Sequence, residues 1–341
     1  MANALTLARV WRILKEVDLE AIRREAEEPA RVLVVADGTG DADDLAVLLA
    51  GGDPHATESV TAADAQLALA QAGTGKEPVV DGPDVVVVLA RGAVSPLLQA
   101  AREAWAGRKV PLVVVSIQDP NAGEGSARPT GAGGPPAAAR ASVPRLDAAS
   151  VGAVASAIFA VVRPDQRLAL ARQLPGLRPC VFDELISETA KANAGYAFST
   201  GLAEIVPVLD VPLNIGDMII LSKNQLVMAY RIALAAGKQG RPTELVAEIV
   251  GVLGGALIFR QLARQLVGLI PVIGIVPKVA VAYGGTWAIG RAVVLWAAER
   301  EKLTRGRLRE LSREGLERGR AVAQAMRRRA AERSGRSTYF G

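Results

Sequence analysis

Three short apolar runs, each followed by a stretch of helical character, constrain this chain more than any other feature. They are Arg31-Val-Leu-Val-Val-Ala36, Asp84-Val-Val-Val-Val-Leu-Ala90 and Val110-Pro-Leu-Val-Val-Val-Ser116. Unbroken β-branched runs of this kind are strands buried on both faces, and such strands are usually parallel. The first run meets a turn, Asp37-Gly-Thr-Gly40, and then a helix over Leu45 to Ala50. The second precedes a helix from about Pro96 to Ala106. A short edge strand near Ala141 to Leu146 and a helix from Asp147 to Val162 close the set. Alternation of strand and helix predicts a doubly wound α/β sheet. Asn121 to Ala141, rich in Gly, Pro, Ala and Ser, reads as a flexible loop.

A strand, a glycine-rich turn and a helix N-terminus form the usual phosphate cradle. In a working P-loop, G-x-x-x-x-G-K-[ST], backbone amides and a lysine hold phosphate and a hydroxyl holds Mg²⁺. Aligned without gaps, the first glycine position is Ala36, the last is Asp41, the lysine position is Ala42 and the hydroxyl position is Asp43. Asp37, Asp41, Asp43 and Asp44 crowd the turn around Gly38 and Gly40. Each carboxylate within ~4 Å of a phosphate charge costs about 1 kcal/mol in water and about 4 at an effective dielectric of 20. No nucleotide is therefore expected at Asp37, Gly38, Gly40, Asp41, Ala42 and Asp43. N-capping by Asp41 or Asp43 is the simplest use of the carboxylates. Asp37, Asp41, Asp43 and Asp44 are the weak candidates for a cation, without an EF-hand spacing. Two further guanine-nucleotide features are broken. Ser116-Ile117-Gln118-Asp119 keeps only the last residue of a base-reading N-K-x-D, and Asp81-Gly82-Pro83-Asp84 stands where a D-x-x-G belongs.

Composition removes other chemistry. One cysteine, Cys180, and one histidine, His55, allow neither a structural zinc site nor a disulfide. A histidine-based triad would have to recruit His55 from a loop-like stretch, and Cys180 reads as a buried thiol. No catalytic residue, cofactor or metal is expected. Half the chain is apolar yet only 4% is aromatic, which leaves few platforms for stacking bases; nucleic acid is not an expected partner.

The remaining chain divides by pattern. Residues 1–30 form an amphipathic helix with Leu7, Val10, Trp11, Leu14 and Val17 on one face, ending near Pro29; it carries no signal-peptide pattern. Residues 31–163 are the α/β domain. Beyond Pro164 strand signals stop, and residues 165–305 read as helical. The last segment, 306–341, is a basic helical tail: the stretch from Glu299 to Gly341 carries a net charge of +7, against −2 for the rest. Glu301 with Arg305, and Glu314 with Arg318, are i,i+4 pairs that support it.

Within the helical part stand Glu188-Thr189-Ala190-Lys191-Ala192-Asn193-Ala194, the stretch Pro207 to Pro212, Asp217, Asn224-Gln225-Leu226-Val227-Met228 and Tyr230-Arg231-Ile232-Ala233. Ile270-Pro271-Val272-Ile273-Gly274 and Ala282-Tyr283-Gly284-Gly285-Thr286-Trp287-Ala288-Ile289-Gly290 follow. This order and wording resemble the bacterial family called domain of unknown function 697. The resemblance covers roughly residues 165 to 305 and extends to the α/β domain in arrangement only. Members of that family often carry the helical module behind a Ras-like GTPase domain, and many are predicted to be membrane-associated. The resemblance thus implies a degenerate, P-loop-GTPase-like α/β domain followed by an all-α domain. It supplies no catalytic residue, and the loss of the lysine at Ala42 departs from a working GTPase.

Hydropathy raises the membrane question independently. Ile249 to Phe259 is apolar for eleven residues and carries Gly251 and Gly255, a G-x-x-x-G. Leu266 to Gly290 is apolar for 25 residues apart from Lys278, long enough to span but broken by Pro271, Gly274 and Pro277. A helical hairpin dipping into one leaflet would present Ile270, Val272, Ile273, Ile275 and Trp287 to lipid, with Lys278 snorkelling outward; a buried helix pair in a soluble bundle is the other reading. The basic tail would hold such a segment on the cytoplasmic side. The expectation is a non-enzymatic pseudo-GTPase accessory or scaffold protein at the cytoplasmic face of the cell membrane, with membrane lipid, a membrane protein or an unidentified protein as partner. The alternatives are a nucleotide-responsive GTPase-like switch and a soluble cytoplasmic scaffold.

Overall fold

A computed structural model describes residues 13–36, 39–54, 67–71, 82–91, 110–118, 138–203, 215–252 and 275–337, with Gln99, Glu103, Trp105 and Arg108. The chain forms two compact units: Arg23–Val181, and Met1–Ile22 with Phe182–Gly341.

The amphipathic N-terminal helix is not continuous. Helical residues at Ile13 and Leu14 give way to a turn, and helix α1 restarts at Leu19–Glu27. Asp18 causes the restart: its Oδ1 accepts the amide of Ala21 at 2.8 Å, an N-cap bond that competes with helix continuation. Residues 1–12 lie outside the described residues.

The α/β unit holds a five-stranded, wholly parallel sheet. Its strands are β1 (Val32–Ala36), β2 (Leu67–Gln71), β3 (Val85–Arg91), β4 (Leu112–Ile117) and β5 (Ala138–Val143), in the order β2-β1-β3-β4-β5. The three apolar runs of the sequence are the three central strands, and every residue of β1 is buried. β2 was not predicted, because Leu-Ala-Leu-Ala-Gln lacks β-branched residues. β5 begins at Ala138, so the last four residues of the predicted 121–141 loop are strand; the rest of that loop lies outside the described residues. Leu33, Val35, Val86, Val88, Ala90, Leu112 and Val114 form one sheet core, with Trp105 and Val110 packed on it. Helix α2 (Thr39–Leu49) follows β1 and ends in a Schellman motif: Gly51 N–H donates to Leu48 O and Gly52 N–H to Val47 O, with Gly51 at φ 86°. Helices α3 (Val151–Val161) and α4 (Pro164–Gln173) follow β5 in the unit. The order is that of a doubly wound sheet whose strand sequence reverses between β1 and β3.

Among the described residues, every regular element beyond Pro164 is helical. They are α5 (Arg178–Ala203), α6 (Ile215–Ala235), α7 (Pro242–Val252), α8 (Ile275–Ala297) and α9 (Arg305–Ser337). Small residues dominate the helical core: Ala194, Ala197, Val279, Ala280, Ala282 and Ala323 cluster together, with Phe198, Tyr283, Leu316 and Met326 at the edge. Pro277 does not break α8; it sits in its first turn, where a missing amide costs nothing. The helix then runs through Arg291 to Ala297. Residues 253–274, which include Gly255, Ile270, Val272 and Ile273, lie outside the described residues, as does the hairpin proposed for them.

The described part of the segment 306–341, to Ser337, is not detached from the helices before it. Leu311, Gly315, Gly319 and Ala323 are buried, a run of i,i+4 steps that lays α9 against α8. The close approach is made by glycine. A Cβ on Gly315 would strike the carbonyl oxygen of Gly284, one on Gly284 would strike that of Gly315, and one on Gly319 would strike that of Ala280. This is the small-xxx-small geometry, formed by Gly315 and Gly319; Gly251 is exposed, with nothing within 4 Å of a Cβ placed on it, and Gly255 lies outside the described residues. Glu301 precedes α9 and pairs with Arg307 at 3.7 Å instead of Arg305, whereas Glu314 and Arg318 pair at 2.8 Å as their spacing predicts.

Candidate functional site

In a doubly wound sheet ligands bind beyond the carboxyl ends of the strands, where the strand order reverses. Here that place lies between β1 and β3. Ala36 and Leu89 are in register, so Arg91, the last residue of β3, stands just above the level where β1 ends. Helix α2 begins three residues after β1 and carries Asp41 in its first turn. Arg91 closes on Asp41 as a two-pronged fork: Nε donates to Oδ2 at 3.2 Å and Nη2 donates to Oδ1. The cation at the end of β3 is thus matched by a carboxylate of the chain itself.

Asp41 is therefore not an N-cap. It is the third residue of α2, inside the first turn, where a negative charge complements the helix dipole. Ala42, at the lysine position, is only 4% exposed and belongs to the core. Asp43 is exposed, Asp44 is half-buried and engaged with partners of its own, and a Cβ on Gly40 would meet only open space. Asp37 and Gly38 lie outside the described residues, as do His55, Asp81 and Asp119. No group of three or more His, Cys, Asp or Glu side chains among the described residues converges to hold a metal ion. The Arg91 and Asp41 side chains are 48% and 21% exposed, so the fork is a surface pair worth about 0–1 kcal/mol.

Asp84, in the broken D-x-x-G, stands at the opposite end of the strands. Its Oδ2 accepts the amide of Arg31 and its Oδ1 accepts Nε2 of Gln166, both at 2.8 Å. It clamps the entry of β1 to α4. Gln173 repeats the device, donating to Glu28 O at 2.7 Å and accepting from Ala30 N at 3.2 Å. Cys180 is half-buried, with Ser156 Oγ 3.9 Å from its sulfur.

The helical unit holds a second polar centre. Asn193 of α5, Asn224 and Gln225 of α6 and Thr286 of α8 form one hydrogen-bonded chain. Asn224 Nδ2 donates to Asn193 Oδ1 at 2.8 Å, Asn193 Nδ2 to Thr286 Oγ1 at 2.8 Å, and Gln225 Nε2 to Thr286 Oγ1 at 3.0 Å. The Thr286 hydroxyl donates to Ala282 O at 2.7 Å. Asn193 and Thr286 are fully buried. The threonine oxygen thus accepts two bonds and donates one, which uses its whole capacity. The three segments appeared in the sequence as separate motifs; nothing in their spacing announced that they meet. A buried, mutually satisfied network of this kind fixes which helix faces meet. It has no titratable group and no nucleophile beyond a saturated hydroxyl.

Helix α8 is long and apolar enough to cross a membrane: Val276–Ala297, 22 residues, mean hydropathy 1.3. Within the structure 72% of that window is buried. Trp287, expected at a lipid contact, lies instead against α9, with Gly315 behind it and the Arg318 guanidinium 4.6 Å from its ring centroid. Lys278 is half-buried and Ile275 opens the helix. At the other end of α8, Trp296 and Lys238, whose ammonium is 4.4 Å from the indole centroid, line a cleft of about 500 Å³ with Arg300, Glu301 and Lys302. Comparison with family models, curated proteins and solved structures finds no match to this chain.

Proposed function

We propose that this chain is a non-enzymatic accessory or scaffold protein, with a degenerate P-loop-GTPase-like domain joined to a helical module akin to domain of unknown function 697. The observation that carries the reading is the Arg91–Asp41 fork at the switch point of the sheet. A residue that would attract phosphate is turned onto a carboxylate, the lysine position is a core alanine, and two further aspartates flank the turn. The α/β domain then serves as a docking surface and the helical unit as its support. Titration with fluorescent GTP and GDP in the presence of Mg²⁺ tests this. Saturable binding is not expected below about 100 µM; a micromolar affinity would sink the reading in favour of a nucleotide-responsive switch.

We place the protein at the cytoplasmic face of the membrane. The apolar α8 motivates the placement and the strong positive charge of α9 supports it. Because α8 is largely enclosed by its neighbours and carries the saturated Thr286 network, association by the surface fits these observations better than insertion. Cell fractionation checks the location: release from membranes by a carbonate wash is expected, and a protein found wholly in the supernatant before washing would contradict it.

A further inference from the structure

Helix α9 sorts its charges by side. At 3.6 residues per turn, Arg305, Arg309, Arg313, Arg320 and Arg327 fall within an arc of about 80°, and the line from first to last is about 33 Å long. All five are exposed, and none is held in an ion pair with a described residue. The acidic residues fall on a separate flank and are largely answered there: Arg307 takes Glu310 at 2.8 Å and Arg318 takes Glu314 at 2.8 Å. Glu317 is the acidic neighbour of the stripe. The adjoining side of the helix, about 80–120° round from the middle of the stripe, is fixed against α8 through Gly315 and Gly319, so the stripe runs along the flank of a braced helix.

We propose that this stripe docks on the head groups of an anionic bilayer, lying along the membrane surface without inserting α8. The proposal rests on the membrane placement above and names the surface and lipid class that make it. Charge complementarity supplies the attraction, at about fivefold in affinity per arginine near an anionic surface. Geometry chooses the plane over a nucleic acid. A flat surface touches one narrow, straight arc of a helix, which is where Arg305, Arg309, Arg313, Arg320 and Arg327 stand. A groove wraps the helix more widely and would bring Glu310 and Glu317 to the phosphates. Residues 305–337 also contain no Phe, Trp or Tyr on which a base could stack.

Co-sedimentation of the full chain with vesicles of phosphatidylcholine, with and without phosphatidylserine, tests the proposal. The wild type is expected to bind only the phosphatidylserine vesicles and to be released by high salt. Arg313→Gln with Arg320→Gln should weaken binding about thirtyfold. Arg328→Gln with Arg329→Gln removes the same charge outside the stripe and should change it by less than about threefold. Thermal denaturation of both double variants should match the wild type, since neither pair removes a packed contact. Equal losses from the two pairs would reduce the effect to net charge and overturn the stripe. Binding to neutral vesicles that survives salt would overturn it in favour of insertion, and tighter binding to duplex DNA or RNA in favour of nucleic acid. If the chain sediments with membranes in cells yet ignores both vesicles, the stripe fails while the membrane placement stands. A chain absent from membranes in cells fails the placement itself.

Discussion

Replacing Thr286 by valine keeps the shape of the side chain and removes one oxygen from the middle of the helical unit. Three hydrogen bonds end on that oxygen: from Asn193, from Gln225, and to Ala282 O. The consequences differ by burial. Gln225 is half-buried and can turn towards water, and the Ala282 carbonyl keeps its helical bond. Asn193 is fully buried, so its Nδ2 loses its partner with no solvent to replace it. An unsatisfied buried donor costs about 1–3 kcal/mol, and the added methyl returns up to about 0.8 kcal/mol of apolar burial. The net expectation is a loss of about 1–2 kcal/mol. For a unit of this size that is a fall of about 2–8 °C in thermal midpoint. Urea denaturation followed by circular dichroism measures the free-energy loss, with Thr286→Ser, which keeps the hydroxyl, losing less. A double-mutant cycle with Asn193→Ala should then show coupling of about 1 kcal/mol or more. A valine variant as stable as the wild type, or a strictly additive cycle, would refute the view that this network holds the helices in register.

Gly315→Ala should lower the urea midpoint of the helical unit. Alanine gains about 1 kcal/mol in helix propensity, but its methyl would strike the Gly284 carbonyl, a backbone atom that moves only if the helices part, at a typical cost of about 1–3 kcal/mol or more; a stabilised variant would contradict the close contact. Asp41→Ala should cost at most about 1 kcal/mol, because the fork is a surface pair; a loss of several kcal/mol in calorimetry would mean that the fork is a structural lock. The Arg241 guanidinium, together with its backbone amide, holds the Glu244 carboxyl below the usual glutamate range. A depressed folded pKa contributes stability that is present above the unfolded value and lost as pH falls through the folded value. Carboxyl NMR titration of Arg241→Ala should therefore show the Glu244 pKa rising towards the ordinary value, with the backbone bond retaining part of the shift; an unmoved pKa would place its cause elsewhere.

The central sheet was legible because its strands are buried on both faces and written almost entirely in valine and leucine. β2 was not, because an edge strand of alternating leucine and alanine carries no propensity signal of its own. Local spacing found the Glu314–Arg318 pair and missed Arg307–Glu301, since the latter crosses a helix start. The Asp41 position was visible as a departure from a phosphate-binding turn, but its partner was hidden: Arg91 is fifty residues away and meets it only because β1 and β3 are neighbours. Asn193 and Thr286 meet across 93 residues because α5 and α8 are brought together in the helical unit. In the basic segment the count of charges was plain, while its glycines gave no sign that they were the contact face until α8 was laid against them.

Arg91 and Asp41 meet at the switch point of the α/β sheet. The most direct measurement is the NMR response of the Arg91 guanidinium and the Asp41 amide during titration with GTP, GDP and Mg²⁺, singly and together. No saturable shift of either signal is expected below about 100 µM ligand, with the Arg91 Nε–H resonance remaining that of a hydrogen-bonded arginine. A saturable shift of both signals in the micromolar range, with the fork released as phosphate arrives, would contradict it and restore a nucleotide to the turn.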